Sequence, residues 1–380
     1  MINKLNWGMK RLCAGWAEIN NRISINAAAG GIPVSAAFEL TSRCNFNCKM
    51  CYVCHSPGNK AAIATELDAG EWIRIGEQSR DAGLFLLTLT GGEVFLRNDF
   101  QEIYEAYSRM GFNMTIYSNA SLITAEKAKW LGGIPPSKVC VSIYGASPET
   151  YEKVTGHGEG YEKTIRGIDA LRNENIIVSV RTTVTQDNFR EFGQLKALAK
   201  SFGSGLGVVN YVSPARPGCG NNPLETRLTP EQTAQYELEI EQQNGEINIE
   251  VNPETPEQRP AKADEGRKSS GETVKSAFKC QAGKCGFWIN WKGYLTPCGL
   301  LDIPCERIGE GGFTAAWERL KKDCLEIPAC KECQQCDIRE YCMSCPARLM
   351  TETGAFDKPA AYLCDTARNR LRLKTRLVRQ

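Results

Sequence analysis

Four cysteines crowd the stretch "TSRCNFNCKMCYVCH" at residues 41–55. Cys44, Cys48 and Cys51 are spaced C-x3-C-x2-C, and Cys54 follows at a further x2 step. Three thiolates on one short loop can hold three irons of a [4Fe-4S] cubane and leave the fourth without a protein ligand. An open iron, like an open zinc position, can bind a reactant. A zinc knuckle completed by Cys54 or His55 is the alternative. A second run, "TLTGGEVFLR", sets Gly91 and Gly92 before the carboxylate Glu93. Glycines there let the backbone approach a ligand closely. Eleven of the eighteen cysteines then fall between 280 and 364, where long apolar runs are few. A segment so composed needs staples to fold.

The 380-residue chain has a formal net charge of +2, so no broad electrostatic case exists for nucleic acid or an acidic membrane. No stretch approaches the roughly 18 apolar residues of a membrane span. The start, "MINKLNWGMKRLCAGWAEINN", lacks the apolar core of a secretory signal. Thiol abundance without such a signal predicts a cytoplasmic, reducing setting in which cysteines serve metal or redox chemistry. With two histidines in the chain, His55 and His157, mixed Cys/His zinc sites are nearly excluded by supply.

These residues need elements to position them. Residues 1–33 read as an amphipathic helix and a loop. From 34 to 213, six apolar runs alternate with helical stretches: "SAAFELT" (35–41), "LFLLTLTGG" (84–92), "NMTIYSN" (113–119), "KVCVSIYG" (138–145), "IIVSVRTTVT" (176–185) and "GLGVVNYV" (205–212). The helix "DFQEIYEAYSRMG" puts Phe100, Ile103, Tyr104 and Tyr107 on one face, with a capping box at Asp99 and Glu102 and a stop at Gly111. Another places Phe192, Leu195, Leu198, Ala199 and Phe202 together. Strands alternating with helices predict parallel β/α units, and near-continuous apolar strands predict a sheet covered on both faces. Chemistry in such sheets gathers at the C-terminal strand ends, where both motifs fall. Residues 214–279 read as a helical and linker segment, its Pro-, Glu-, Lys- and Ser-rich part at 251–276 a loop.

Cys44, Cys48 and Cys51 after a first strand, with Tyr52 following and Gly91-Gly92-Glu93 after the second, resemble the radical S-adenosylmethionine (SAM) enzymes. The resemblance covers about 35–213. Met50 departs from the aromatic that often precedes the third cysteine, and the resemblance then implies the adenine contact for Tyr52. The resemblance implies that Gly91, Gly92 and Glu93 bind the methionine amino group. It implies ribose or carboxylate contacts for Asn119 and Ser142, and a carboxylate partner for Arg181. The expected fold is α/β, a partial (β/α)6 TIM-type barrel.

The tail at 280–365 resembles the SPASM extension of these enzymes, a small cysteine-rich C-terminal domain, with 366–380 a terminal tail. The motif "CQQCDIREYCMSC" departs from the family spacing in its last gap, x2 between Cys342 and Cys345. The resemblance assigns Cys280, Cys285, Cys298 and Cys345 to a first auxiliary cluster. It assigns Cys333, Cys336, Cys342 and Cys364 to a second, which makes three [4Fe-4S] clusters. Cys330 forms an extra C-x2-C with Cys333 and could compete. Cys140, inside an apolar strand, reads as core. A fourth ligand at Cys54 would destroy the SAM site, so it reads as a thiol beside the cluster. Cys219 reads as a hydrogen donor or as an incidental loop thiol.

The function so implied is a peptide maturase. It cleaves SAM to a 5′-deoxyadenosyl radical, abstracts hydrogen from a peptide residue and forms a thioether or carbon–carbon crosslink, fed by a reducing partner such as flavodoxin or ferredoxin. About 33 residues before the barrel are too few for the winged-helix leader reader of many maturases. A peptide leader, if there is one, would be read by another surface or a separate protein. A formylglycine-generating sulfatase-type maturase and a dehydrogenase or epimerase are the enzymatic alternatives. An iron–sulfur scaffold would leave the open triad and Gly91-Gly92-Glu93 unexplained.

Overall fold

The computed structural model describes residues 15–53, 55–217, 219–243, 276–309 and 311–378. Of the loop expected at 251–276 all but Ser276 lies outside these residues, as do Cys13 and Cys54. Six parallel strands run β1 (Ser35–Glu39), β2 (Leu86–Thr90), β3 (Asn113–Ser118), β4 (Lys138–Ser142), β5 (Val178–Thr183) and β6 (Leu206–Val209). They pair in chain order, each through a helical crossover. This is the expected α/β partial barrel, with strands one to four residues shorter than the apolar runs.

The register shows why. Phe38, Leu89, Ile116, Val139 and Val178 are successive cross-strand partners. All are buried, and Phe38 packs on Trp72 and Tyr107 of the covering helices Ala69–Asp81 and Phe100–Arg109. Alternate positions point the other way. There Ala37 pairs with Thr88 and Thr88 with Thr115; Glu39 pairs with Thr90, Tyr117 with Cys140, and Ser142 with Arg181. The strands, read in sequence as near-continuously apolar, therefore form a sheet that is apolar outside and largely polar inside. A barrel left unclosed has no need to fill its lumen with aliphatic side chains.

The tail is less independent than its composition suggests. Strands β7 (Gly286–Ile289), β8 (Tyr294–Thr296) and β9 (Glu306–Arg307) extend the same sheet beyond β1, giving the order β6-β5-β4-β3-β2-β1-β7-β8-β9. Strand β7 pairs parallel with β1, and β8 and β9 follow antiparallel. Phe287 continues the outer apolar layer and meets Phe313 and Trp317 of the helix Gly312–Glu326 at centroid distances of 4.9 and 5.7 Å. The tail's apolar residues thus share the barrel's core.

Two local expectations change. Asp99 makes no cap bond; its carboxylate takes Arg97 instead, at 2.8 and 2.6 Å. The capping box is at Asp68 and Glu71, opening the helix Ala69–Asp81. The N-terminal helix spans Trp16–Gly30 and closes on Gly31 at φ +63°.

Candidate active site

The cysteine loop leaves β1 at its C-terminal end and lies against the turn after β2. Gly92 N–H donates to Thr41 O at 2.8 Å, and Glu93 N–H to Arg43 O at 2.9 Å. A Cβ on Gly91 would stand 2.3 Å from Thr41 O, and one on Gly92 2.2 Å from Arg43 O. The two glycines thus let two backbones touch at the root of the loop. Arg43 grips Glu66 with a fork of 2.9 and 2.8 Å. Arg97, nearly buried, donates to Leu40 O at 2.7 Å and Leu67 O at 2.9 Å. The loop that carries Cys44, Cys48 and Cys51 is therefore held at its root by these contacts.

Cys44 Sγ accepts from Phe46 N–H at 3.4 Å and lies 3.7 Å from the Asn119 amide nitrogen. Amide donors aimed at a sulfur suit a thiolate that ligates iron. Asn119 also donates to Asn45 Oδ1 at 3.0 Å, and Thr164 Oγ1 donates to Asn119 O at 2.9 Å. Asn119 thus sits beside the loop. Glu93 is placed differently. It is fully buried, and its carboxylate accepts from Phe95 N–H (3.1 Å), Ser118 Oγ (2.9 Å) and Asn119 N–H (2.8 Å). Burial raises its pKa above the ordinary carboxyl value, against these three donors and Lys127. Here Glu93 joins the turn after β2 to the end of β3.

Ser142 ends β4, half-buried, opposite Arg181 on β5. The Arg181 guanidinium donates to Tyr117 Oη and stands 5.0 Å over that ring, inside the lumen. Tyr52 follows Cys51 with its ring 5.1 Å beneath the Arg216 guanidinium. Cys219 reaches the same place: its Sγ lies 3.8 Å from Cys51 O.

Among the described residues no two cysteines form a disulfide, and no three or more His, Cys, Asp or Glu side chains converge on a single-ion site. The tail thiols divide into groups. Cys280 belongs to the main core, and Cys298 and Cys345 pack against it. Cys345 caps the helix Pro346–Thr353, accepting from Arg348 N–H at 3.5 Å. Cys330, Cys333 and Cys342 share a smaller cluster with Tyr211, Leu349, Ala360 and Leu363. Burial comes first in holding the Cys333 thiol above its ordinary value, followed by the bond to Cys330 and the sulfurs of Cys342 and Cys364. Burial and then Cys342 act on Cys364, with Cys336 also close enough to contribute. Five thiols so crowded suit iron, which neutralises their mutual repulsion.

Cys285 stands apart. Fully buried among Ala27 and Val34, it sends its Sγ to within 3.6 Å of Ser24 O on the N-terminal helix. It immediately precedes β7, where each step of one residue reverses the side chain's face. The sequence pattern could count this thiol but not its direction.

Several residues of the site escaped sequence reading: Glu39, Arg43, Glu66, Arg97 and Arg216. A signal existed for Glu39, a carboxylate ending an apolar run. The others bind through loops whose partners lie up to 177 residues away.

The sequence matches the radical SAM superfamily over residues 38–199. Those residues are a radical SAM domain, and the protein is an enzyme of this kind. Such a domain takes S-adenosylmethionine and a [4Fe-4S] cluster, and the donors around Cys44 fit it. The chain is 27% identical over 347 residues to an AdoMet-dependent heme synthase of Methanosarcina barkeri, an alignment covering 87% of this chain and 96% of that protein. It is 26% identical over 282 residues to the sporulation killing factor maturation protein SkfB of Bacillus subtilis, covering 73% and 63%. Among solved structures, Streptococcus suis SuiB bound to S-adenosylmethionine superposes with a TM-score of 0.65 at 15% identity, covering 91% of this chain and 81% of that one. Native anSMEcpe with bound AdoMet gives 0.66 at 16%, covering 91% and 98%. These two likenesses concern the fold. Among the described residues no helix is long and apolar enough to cross a membrane.

Proposed function

We propose that the protein modifies a peptide oxidatively, abstracting hydrogen from one residue and closing a thioether or carbon–carbon crosslink. The observation that carries this is the three-cysteine loop at the mouth of an open, largely polar barrel, with a thiol-rich tail joined to the same sheet. The 26% identity to SkfB supports it. When bound, the cluster and S-adenosylmethionine supply a 5′-deoxyadenosyl radical able to attack an unactivated C–H bond.

In this reading Cys44, Cys48 and Cys51 hold the cluster, and Asn119 and Phe46 donate toward the Cys44 sulfur. Gly91 and Gly92 bring the strand end close to the ligand. Tyr52, Ser142 and Arg181 line its adenosine and carboxylate. Glu93 acts by holding the β2 and β3 ends together. Cys280, Cys298 and Cys345 serve one auxiliary cluster, and Cys333, Cys336, Cys342 and Cys364 another. These clusters take the electron left after hydrogen abstraction, and a flavodoxin- or ferredoxin-like partner supplies the reducing electron.

A second reading is the modification of a heme precursor, favoured by the match along 96% of the M. barkeri heme synthase. One experiment separates the two. The protein is reconstituted anaerobically, reduced with dithionite, given SAM and offered candidate short peptides or iron porphyrins bearing carboxylate side chains. Peptide crosslinking predicts 5′-deoxyadenosine together with a peptide lighter by two hydrogens. Turnover of the porphyrin alone would replace the peptide reading. Replacing all three of Cys44, Cys48 and Cys51 by Ala should abolish 5′-deoxyadenosine, and undiminished cleavage would sink the assignment of the loop.

A further inference from the structure

An ion pair is buried at the mouth of the barrel, in contact with the cysteine loop. Arg216 donates through Nη1 to Glu39 Oε2 at 2.8 Å, and Trp288 Nε1 donates to the same oxygen at 3.1 Å. Its other terminal nitrogen donates to Gly299 O, next to Cys298. Its backbone N–H donates to Tyr52 O at 3.0 Å. Arg216 Nε is buried without a hydrogen bond; Asp302 Oδ1 stands 3.9 Å away. Beyond Arg216, Cys219 Sγ lies 3.8 Å from Cys51 O, and Asn221 Nδ2 donates to Cys48 O at 3.0 Å. Side chain and backbone of the segment after β6 thus reach the carbonyls of Cys48, Cys51 and Tyr52.

A buried ion pair is weak evidence for stability, because desolvating both charges offsets most of their attraction. It is better suited to fixing a register. Arg216 makes that register concrete, because one planar fork reaches the end of β1 and the residue beside Cys298 while its main chain holds the residue after Cys51. A lysine carries the charge but cannot span two acceptors in one plane.

We propose that Arg216 is a positioning residue. With Asn221, it clamps the cysteine loop and sets its placement against the loop of the first auxiliary site. The auxiliary half of this inference rests on the proposed cluster at Cys298. No electron or proton passes through the guanidinium itself.

The test compares wild type with Arg216→Lys, Asn221→Ala and Glu39→Gln, each reconstituted and normalised to bound iron. Arg216→Lys should retain its iron yet form 5′-deoxyadenosine about ten- to a hundredfold more slowly, with a raised KM for SAM, as small misplacements of reacting groups do. The change that SAM induces in the electron paramagnetic resonance spectrum of the reduced cluster should weaken. Glu39→Gln and Asn221→Ala should move in the same direction by less. In protein whose Cys44, Cys48 and Cys51 are replaced by Ala, adding Arg216→Lys should alter the auxiliary signal. Wild-type rates per iron-loaded protein with only a lower melting temperature would overturn the proposal. An unaltered auxiliary signal would overturn the link to Cys298. If Arg216→Lys fails to load iron, Asn221→Ala decides, and an unchanged rate and KM there would refute the clamp. Failure of wild type itself to cleave SAM would instead sink the functional reading.

Discussion

A buried carboxylate needs donors, and Glu93 has three, two from backbone amides and one from Ser118. Glutamine is nearly the same size but carries an amide nitrogen where one carboxylate oxygen stood. Either Asn119 N–H or the pair Phe95 N–H and Ser118 Oγ would then face a donor. Glu93→Gln should therefore cost about 1–3 kcal/mol, the usual penalty for a buried group left unsatisfied, measured by denaturant unfolding. Its pH dependence has a definite sign. The folded carboxyl titrates above the ordinary 4.5 because of burial. The folded protein therefore holds this proton more tightly than the unfolded chain, and the site's contribution falls as pH rises from about the ordinary carboxyl value through the folded one. Glu93→Gln should flatten the stability profile across that window, and an unchanged slope would show that Glu93 does not titrate there. Gly92→Ala tests the same turn from the other side. Its Cβ would meet Arg43 O at 2.2 Å, backbone against backbone, so the cysteine loop must shift. It should lose SAM cleavage together with iron at the triad, read by iron content and 5′-deoxyadenosine.

At the scale of elements, the parallel strands and the cysteine loop were legible because their signals are local. Apolar runs bounded by turns mark β1 to β6, and three cysteines on one short loop sit together whatever the fold. The lumen was less legible. In "NMTIYSN" the alternation of Met114 and Ile116 with Thr115 and Tyr117 was visible, but only the register across strands shows that the polar partners face one space. The addition of β7 to β1 was illegible, because a parallel pair formed about 250 residues apart in the chain has no turn to announce it. Cys285 illustrates the cost. The family resemblance placed it with Cys280, yet the strand it precedes turns it under the N-terminal helix, against Ala27 and Val34. The expected outcome is that Cys285→Ala keeps the full iron content of the reconstituted protein, while Cys280→Ala lowers it by about four, one cubane. Equal losses from both variants would return Cys285 to the ligand set.

At the scale of the whole molecule, the tail and the barrel share one sheet and one apolar layer. A cysteine-rich segment held only by its clusters would come apart when the iron is removed and leave the barrel folded. Here the sheet runs unbroken from β6 to β9, and Phe287 sits where the two halves meet. Its ring lies 6.3 Å from Phe38 of β1, 4.9 Å from Phe313 and 5.7 Å from Trp317. Phe313 N–H in turn donates to Gln78 Oε1 of a barrel helix at 2.8 Å. Truncating such a residue removes its transfer energy and leaves a cavity between two rigid layers, so Phe287→Ala should cost about 3–5 kcal/mol. The cost should fall on the barrel and the tail together. Iron-free protein, unfolded by denaturant and followed by far-ultraviolet circular dichroism and by tryptophan fluorescence, should show one transition in both signals, moved to lower denaturant by the substitution. Trp72 reports from the barrel, Trp317 and Trp288 from the tail. A first transition confined to the tail tryptophans, with the barrel's midpoint unmoved by Phe287→Ala, would show that the shared layer does not couple the two halves and that the clusters alone hold the tail.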